Sequence, residues 1–292
     1  MEFRSDLVMD RYIDVFSGPK ADQARRTESI KLYGPDAFEG MRRAGDLTAR
    51  CLDHIADLIC AGTALSHINT FVLNFAAKHD ATPATLGYKG YPYACCTSVN
   101  HVVCHGFPNE KKLRDGDIVN VDVTLILDGW HGDSSRMYVV GKPKRKAERL
   151  IQIAHEAMMQ GIRAVRPGAR LGDIGHAIQT YAYSERCSVV REFCGHGIGQ
   201  VFHDSPDILN FGKAGIGLEL REGMIFTVEP MINLGRGEVK MLEDDWTAVT
   251  RDKSLSAQFE HSIGVTSDGF EVFTRSPSGL HAPGIELPNV HV

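Results

Sequence analysis

Five residues of this chain have the types to bind divalent metal: Asp122, Asp133, His196, Glu229 and Glu260. Residues 117–127 (DIVNVDVTLIL) are a β-branched run that predicts a strand, Asp128-Gly129 predicts a tight turn, and residues 130–140 (WHGDSSRMYVV) predict the returning strand. With a two-residue loop, Leu127 faces Trp130, Thr124 pairs with Asp133, and Asp122 pairs with Ser135. Side chains alternate along a strand, so both aspartates share one face and lie diagonally, about 7 Å apart at the backbone. Like charges that close repel unless a cation or a shared proton sits between them. A metal site and an aspartyl acid-base dyad both satisfy this pair taken alone.

His196 lies in residues 192–199 (EFCGHGIG), where glycines let backbone and imidazole approach a ligand closely. The full glycine spacing of a dinucleotide loop is absent from this segment. Glu229 falls in residues 224–231 (MIFTVEPM), an apolar strand in which a buried carboxylate has to be paired or metal-bound, and Pro230 implies an edge or a bend. Glu260 falls in residues 258–265 (QFEHSIGV), which run into a turn at 267–270 and a return strand ending near Phe273. Together the five supply four carboxylates and one imidazole, a set that suits Mn, Fe, Co or Zn. Two such divalent ions would offset the four negative charges.

The elements that must hold these residues come as two similar halves. Met41, Ala44, Leu47, Cys51, Ile55, Ala56 and Ile59 predict a helix over 37–61 ending at Gly62, followed by a second helix over 66–78. Leu150, Ile153, Ala157, Ile162 and Val165 repeat the pattern over 145–166 up to Pro167-Gly168, with another helix over 172–186. Residues 62–68 match 168–174 at a shift of 106, and residues 113–122 match 220–229 at a shift of 107. The second match makes Asp122 and Glu229 equivalent. A third, residues 103–108 against 201–206 at a shift of 98, makes His105 and His203 equivalent. Three matches in one order predict two α+β half-domains related by a pseudo-twofold, sharing one sheet with the helices on one face and a cleft between the halves.

The 292 residues are 43% hydrophobic and 24% charged, as expected of an ordinary globular protein. A net charge of −5 without a basic stripe argues against a nucleic acid substrate. Seven cysteines with no C-x-x-C pair point to reduced thiols in the cytoplasm. No apolar run has the length of a signal peptide or a membrane span, so no membrane association is expected. Residues 1–28 read as an N-terminal extension or arm and residues 29–292 as a single catalytic domain.

The ordered set Gly87-Tyr88-Lys89-Gly90-Tyr91-Pro92, Val103-Cys104-His105-Gly106, Asp122, Asp133, residues 195–199 (GHGIG), Glu229-Pro230 and residues 256–261 (SAQFEH) resembles the type I methionine aminopeptidases, over roughly residues 28–275. The resemblance implies their pita-bread fold and a dinuclear metal centre whose ligands are Asp122, Asp133, His196, Glu229 and Glu260. It implies that His105 and His203 contact the substrate near its scissile amide, and that Tyr88, Tyr91, Cys96, Phe202 and Trp246 line a pocket for the methionine side chain. The implied reaction is removal of the initiator methionine from nascent polypeptides by a hydroxide bridging two metal ions, the water's pKa being lowered to roughly 7. Glu229 would shuttle the proton, in a monomer that meets its substrate at the ribosome. Lys89 departs from the histidine carried by relatives at that position. Proline-specific peptidases share the fold and ligands, and a non-catalytic binding protein on the same fold would have no need to keep all five.

Overall fold

Alternation and helical periodicity produce most of the predicted elements. In the computed structural model, which describes residues 11–17 and 26–280, the chain opens with a hairpin of β1 (Arg11–Ser17) and β2 (Arg26–Leu32), paired antiparallel along their whole lengths. Part of the segment read as an extension is thus a strand, while residues 1–10 and 18–25 lie outside the described residues. Helices α1 (Pro35–Ile55) and α2 (Leu65–Lys78) follow. The first stops short of the expected Gly62, because its last turn tightens into a 3-10 turn over Ala56–Leu58.

Strands β3 (Thr82–Pro83), β4 (Cys96–Val99) and β5 (Val102–Cys104) lead to the long hairpin of β6 (Ile118–Leu127) and β7 (Trp130–Val139). Its register is the expected one, with Thr124 opposite Asp133 and Asp122 opposite Ser135. Helices α3 (Arg145–Arg163) and α4 (Leu171–Ser184) repeat the first helix pair. The remainder is β8 (Ser188–Val189), β9 (Gly195–Gly197), β10 (Asp204–Ile208), β11 (Ile225–Val228), β12 (Met231–Asn233), β13 (Val239–Met241), β14 (Ala248–Thr250), β15 (Ser256–Gln258), β16 (Glu260–Val265) and β17 (Phe270–Val272).

The main sheet runs β10-β9-β11-β16-β7-β6-β3, with β4 also on β6 and β17 on β16. The two half-domains meet where β16 pairs with β7. Two three-stranded sheets, β15-β12-β8 and β13-β14-β5, flank it. The first of them is set apart where two strands break: Pro230 lacks an N–H to continue the ladder after β11, and Phe259 separates β15 from β16.

One face of the sheet is packed by helices. Val119, Val121, Val123 and Leu125 of β6 share a buried cluster with Leu52, Ile55, Ile68 and Val72 of α1 and α2, which turns Asn120, Asp122 and Thr124 to the other face. Leu150, Ile153, Ala157, Ile174 and Ile178 of α3 and α4 pack likewise with Phe226, Val228 and Ile263. Helix α1 lies directly on β7 at Gly132, where a side chain would collide with the carbonyl of Ala44, and the Thr48 hydroxyl donates to the Gly132 carbonyl at 2.8 Å. A buried ion pair, Arg136 Nη1 to Asp53 Oδ1 at 2.6 Å, ties β7 to the same helix. Ser276 donates a further hydrogen bond to that carboxylate at 2.7 Å. All seven cysteines are free, and among the described residues no helix is long and apolar enough to cross a membrane.

Candidate metal centre

Neighbouring strands each present one residue of the five. In the spatial order β9, β11, β16, β7, β6 these are His196, Glu229 just past the end of β11, Glu260, Asp133 and Asp122. The break at Pro230 is the bend anticipated from the sequence, but β11 is an interior strand, held between β9 and β16. The break lets Glu229 turn into the cleft without requiring an edge position.

Three of the five are drawn tightest. Asp133, His196 and Glu260 are buried and offer ligand atoms within 4.8 Å of one another, a cluster able to hold a metal ion. His196 Nε2 lies 3.6 Å from Asp133 Oδ2 and 3.6 Å from Glu229 Oε1. Asp122 and Glu229 are only half-buried, facing the cavity.

Hydroxyl and amide donors orient these groups. Thr124 donates to Asp133 Oδ1 at 2.7 Å, and Thr227 donates to Glu229 Oε1 at 2.8 Å. The Thr227 hydroxyl also accepts from the His196 backbone N–H at 3.0 Å, so one side chain fixes two of the five. His196 Nδ1 lies 3.1 Å from the Gly197 carbonyl, which directs its Nε2 toward the carboxylates.

Burial and mutual repulsion make the charged carboxylates of this centre costly unless a proton or a cation offsets them. Enclosure pushes the Asp122 carboxyl up to about 7. Asp133, Glu229 and Glu260 are driven well above the ordinary carboxylate range, by burial first and then by each other's charges. Burial pushes His196 and His105 down to about 4, which leaves both imidazoles neutral at pH 7. Neutral imidazole and carboxylate oxygen are the donors that divalent ions take, and an ion would remove the repulsion that raises the carboxylates. The residues therefore fit a divalent metal centre.

The centre opens into a cavity of about 310 Å3, within the range of small-ligand sites. All five residues line it, together with His105, His203, Tyr88, Tyr91, Cys96, Phe202 and Trp246. Tyr91, Cys96 and Phe202 are buried members of this lining. Tyr91 is fixed by hydroxyl bonds to the carbonyls of Cys95 at 3.1 Å and Gly106 at 3.2 Å, and its ring meets Trp246 edge-on at 5.1 Å. Tyr88 stacks on His203 at 4.9 Å and contacts Phe202 at 4.8 Å. His105 takes a left-handed φ of 55° and lies 6.1 Å from the Trp246 ring.

Several lining residues were not anticipated: Thr85, Cys104, Glu192, Phe193, Cys194, Met231 and Gln258. Gln258 stands two residues before Glu260 and Met231 two after Glu229, so two-residue periodicity could have found them. Gln258 Nε2 reaches Glu229 Oε2 at 3.4 Å.

A curled antiparallel sheet, helix pairs on one face and an acidic, imidazole-bearing centre at the seam of two half-domains define a metal-dependent hydrolase. The chain belongs to metallopeptidase family M24, whose model matches residues 39–267. It is 58% identical over 256 residues to a methionine aminopeptidase of Rickettsia prowazekii, covering 87% of this chain and 99% of that one. A methionine aminopeptidase of Escherichia coli strain K12 is 45% identical over 251 residues, 84% of this chain and 94% of the relative. The crystal structure of methionine aminopeptidase from Thermotoga maritima superimposes with a TM-score of 0.82 at 39% identity, covering 84% of this chain and 99% of that chain. Family membership carries divalent metal binding with it.

Proposed function

We propose that this protein is a metal-dependent aminopeptidase that removes the initiator methionine from nascent proteins and peptides. The observation that carries the reading is the coincidence, in one cavity, of the carboxylate-imidazole centre with a buried lining that includes Tyr91, Cys96 and Phe202. Asp122, Asp133, His196, Glu229 and Glu260 would hold two divalent ions drawn from Co, Mn, Fe and Zn, which when bound would supply Lewis-acid chemistry and a water of pKa roughly 7.

The chain's own residues do the rest. Aromatic rings and the neutral Cys96 thiol receive the thioether side chain, which suits soft, polarizable contacts. His105 and His203 stand beside the centre as neutral imidazoles, each with a ring N–H to offer the carbonyl oxygen or the leaving amine. Glu229 moves the proton: Oε1 is held by Thr227, while Oε2 has, among the described residues, only the long contact to Gln258. The catalytic unit on this reading is residues 29–292, working as a cytoplasmic monomer on chains emerging from the ribosome.

Hydrolysis of Met-Ala-Ser and Ala-Pro-Ala by protein reloaded across a Mn, Co, Fe and Zn series tests the reading. Release of free methionine with little turnover of the proline peptide is expected. Faster cleavage of Ala-Pro-Ala would overturn it in favour of a proline-specific peptidase.

A further inference from the structure

Of the residues lining the cavity, Lys89, Glu192 and His203 are the exposed ones, which marks where it meets solvent. A peptide whose first residue lies against the buried lining passes its following residues out beside these exposed groups. The charges it meets there are those of Lys89 and Glu192, and they are not equivalent. The Glu192 carboxylate is turned to backbone, accepting from the Arg191 N–H at 3.1 Å and the Val239 N–H at 3.5 Å. The Lys89 ammonium has no carboxylate within ion-pair distance among the described residues. It lies 5.2 Å from the centroid of the Tyr88 ring, and that ring is stacked on His203.

The backbone holds Lys89 in this place. It occupies the middle of the 3-10 turn Tyr88–Gly90 with φ of 48°, a left-handed conformation that a lysine adopts only where its surroundings dictate it. The aromatic face steadies the cation without neutralising it. A positive charge, unpaired and one ring removed from the imidazole beside the scissile bond, therefore borders the path of the leaving segment.

We propose that Lys89 is a specificity-determining residue that favours substrates carrying a carboxylate, as Asp, Glu or a free C-terminus, in the residues just beyond the scissile bond. This rests on the aminopeptidase reading above. An exposed charge pair contributes modestly, so attraction of an acidic peptide and repulsion of a basic one combine to about tenfold. The effect falls on KM more than on kcat, because the contact is made with the bound peptide and not only in the transition state.

The test compares kcat/KM for C-terminally amidated Met-Ala-Glu, Met-Ala-Gln and Met-Ala-Lys peptides in manganese-loaded wild type, K89Q, K89R and K89E. Using the ratio of the Glu to the Lys peptide cancels any general change in activity. Wild type and K89R should favour the Glu peptide by about tenfold, with the preference shrinking as salt screens the charge. K89Q should bring the ratio near one, and K89E should invert it. Cleavage of all three peptides with the same ratio in wild type and K89Q, or a ratio indifferent to salt, would overturn the role of Lys89 alone. Failure of the wild type to cleave even the Gln peptide would overturn the aminopeptidase reading and this inference with it.

Discussion

Thr124 and Asp133 face each other across β6 and β7, and the threonine hydroxyl donates a 2.7 Å hydrogen bond to Oδ1 of the aspartate. Oδ2 is left pointing toward His196 Nε2, 3.6 Å away. Cross-strand register thus sets the direction of a carboxylate at the seam between the two halves. An aspartate on its own could rotate; this one is held from behind.

Thr124→Val keeps the shape and removes the donor. Metal affinity measured by calorimetry should fall about tenfold, the lower end of what loss of an orienting partner costs a metal site. An unchanged affinity would show that packing alone orients Asp133.

The tight cluster of Asp133, His196 and Glu260 does not include Asp122. On the two-ion reading, Asp122→Asn should retain about one ion per chain, while His196→Ala and Glu260→Gln should each lower the content further. Metal analysis of dialysed protein decides this, and equal losses in all three variants would contradict the ordering.

Removing the metal should make stability depend on pH in a particular direction. The folded Asp122 carboxyl is raised to about 7, and those of Asp133, Glu229 and Glu260 higher still. The folded apoprotein then binds more protons than the unfolded chain, so its stability falls as pH rises, by up to about 1.4 kcal/mol per pH unit for each such group. His105 and His196, lowered to about 4, act in the opposite sense only up to the ordinary histidine range. Above about pH 7 unfolded histidine is largely neutral as well, and the carboxylates decide the slope. Denaturant titrations from pH 7 to 9 should show apoprotein stability falling more steeply than that of the metal-loaded protein, the buried thiols of Cys51, Cys95, Cys96 and Cys104 adding the same decline to both above about pH 8.

Arg136→Met should destabilise the fold by about 3–5 kcal/mol, because it leaves the Asp53 carboxylate buried without its cation. The double variant with Asp53→Leu should recover much of that loss. Urea unfolding of the single and double variants checks it, and a loss confined to a few tenths of a kcal/mol would place the pair among structurally idle contacts.

The hairpin was legible from residues 117–140 because a two-residue turn and strict alternation leave one register, and the register carries Asp122 and Asp133 to one face. The helix pairs and the equivalence of Asp122 with Glu229 were legible as a repeat. Helix ends were less so: whether α1 continues to Gly62 depends on how its last turn packs, and the 3-10 turn at Ala56–Leu58 has no counterpart in the apolar spacing. The strand at Arg11–Ser17 was read as part of an arm, since pairing with Arg26–Leu32 is invisible in a segment rich in charges.

The sequence by itself determined which side chains stand on which face of each element, since that follows from periods of 2 and 3.6 residues. It also carried the ordered motifs of the family. Only the tertiary structure decided that β9, β11, β16, β7 and β6 lie side by side, so that His196 and Glu260 meet an aspartate distant from both in the chain. Such contacts arise from sheet order and helix burial, which local patterning does not encode. The structure likewise turned Glu229 into the cleft at the Pro230 break and set the Lys89 ammonium at the cavity mouth, where backbone conformation and ring stacking fix its place.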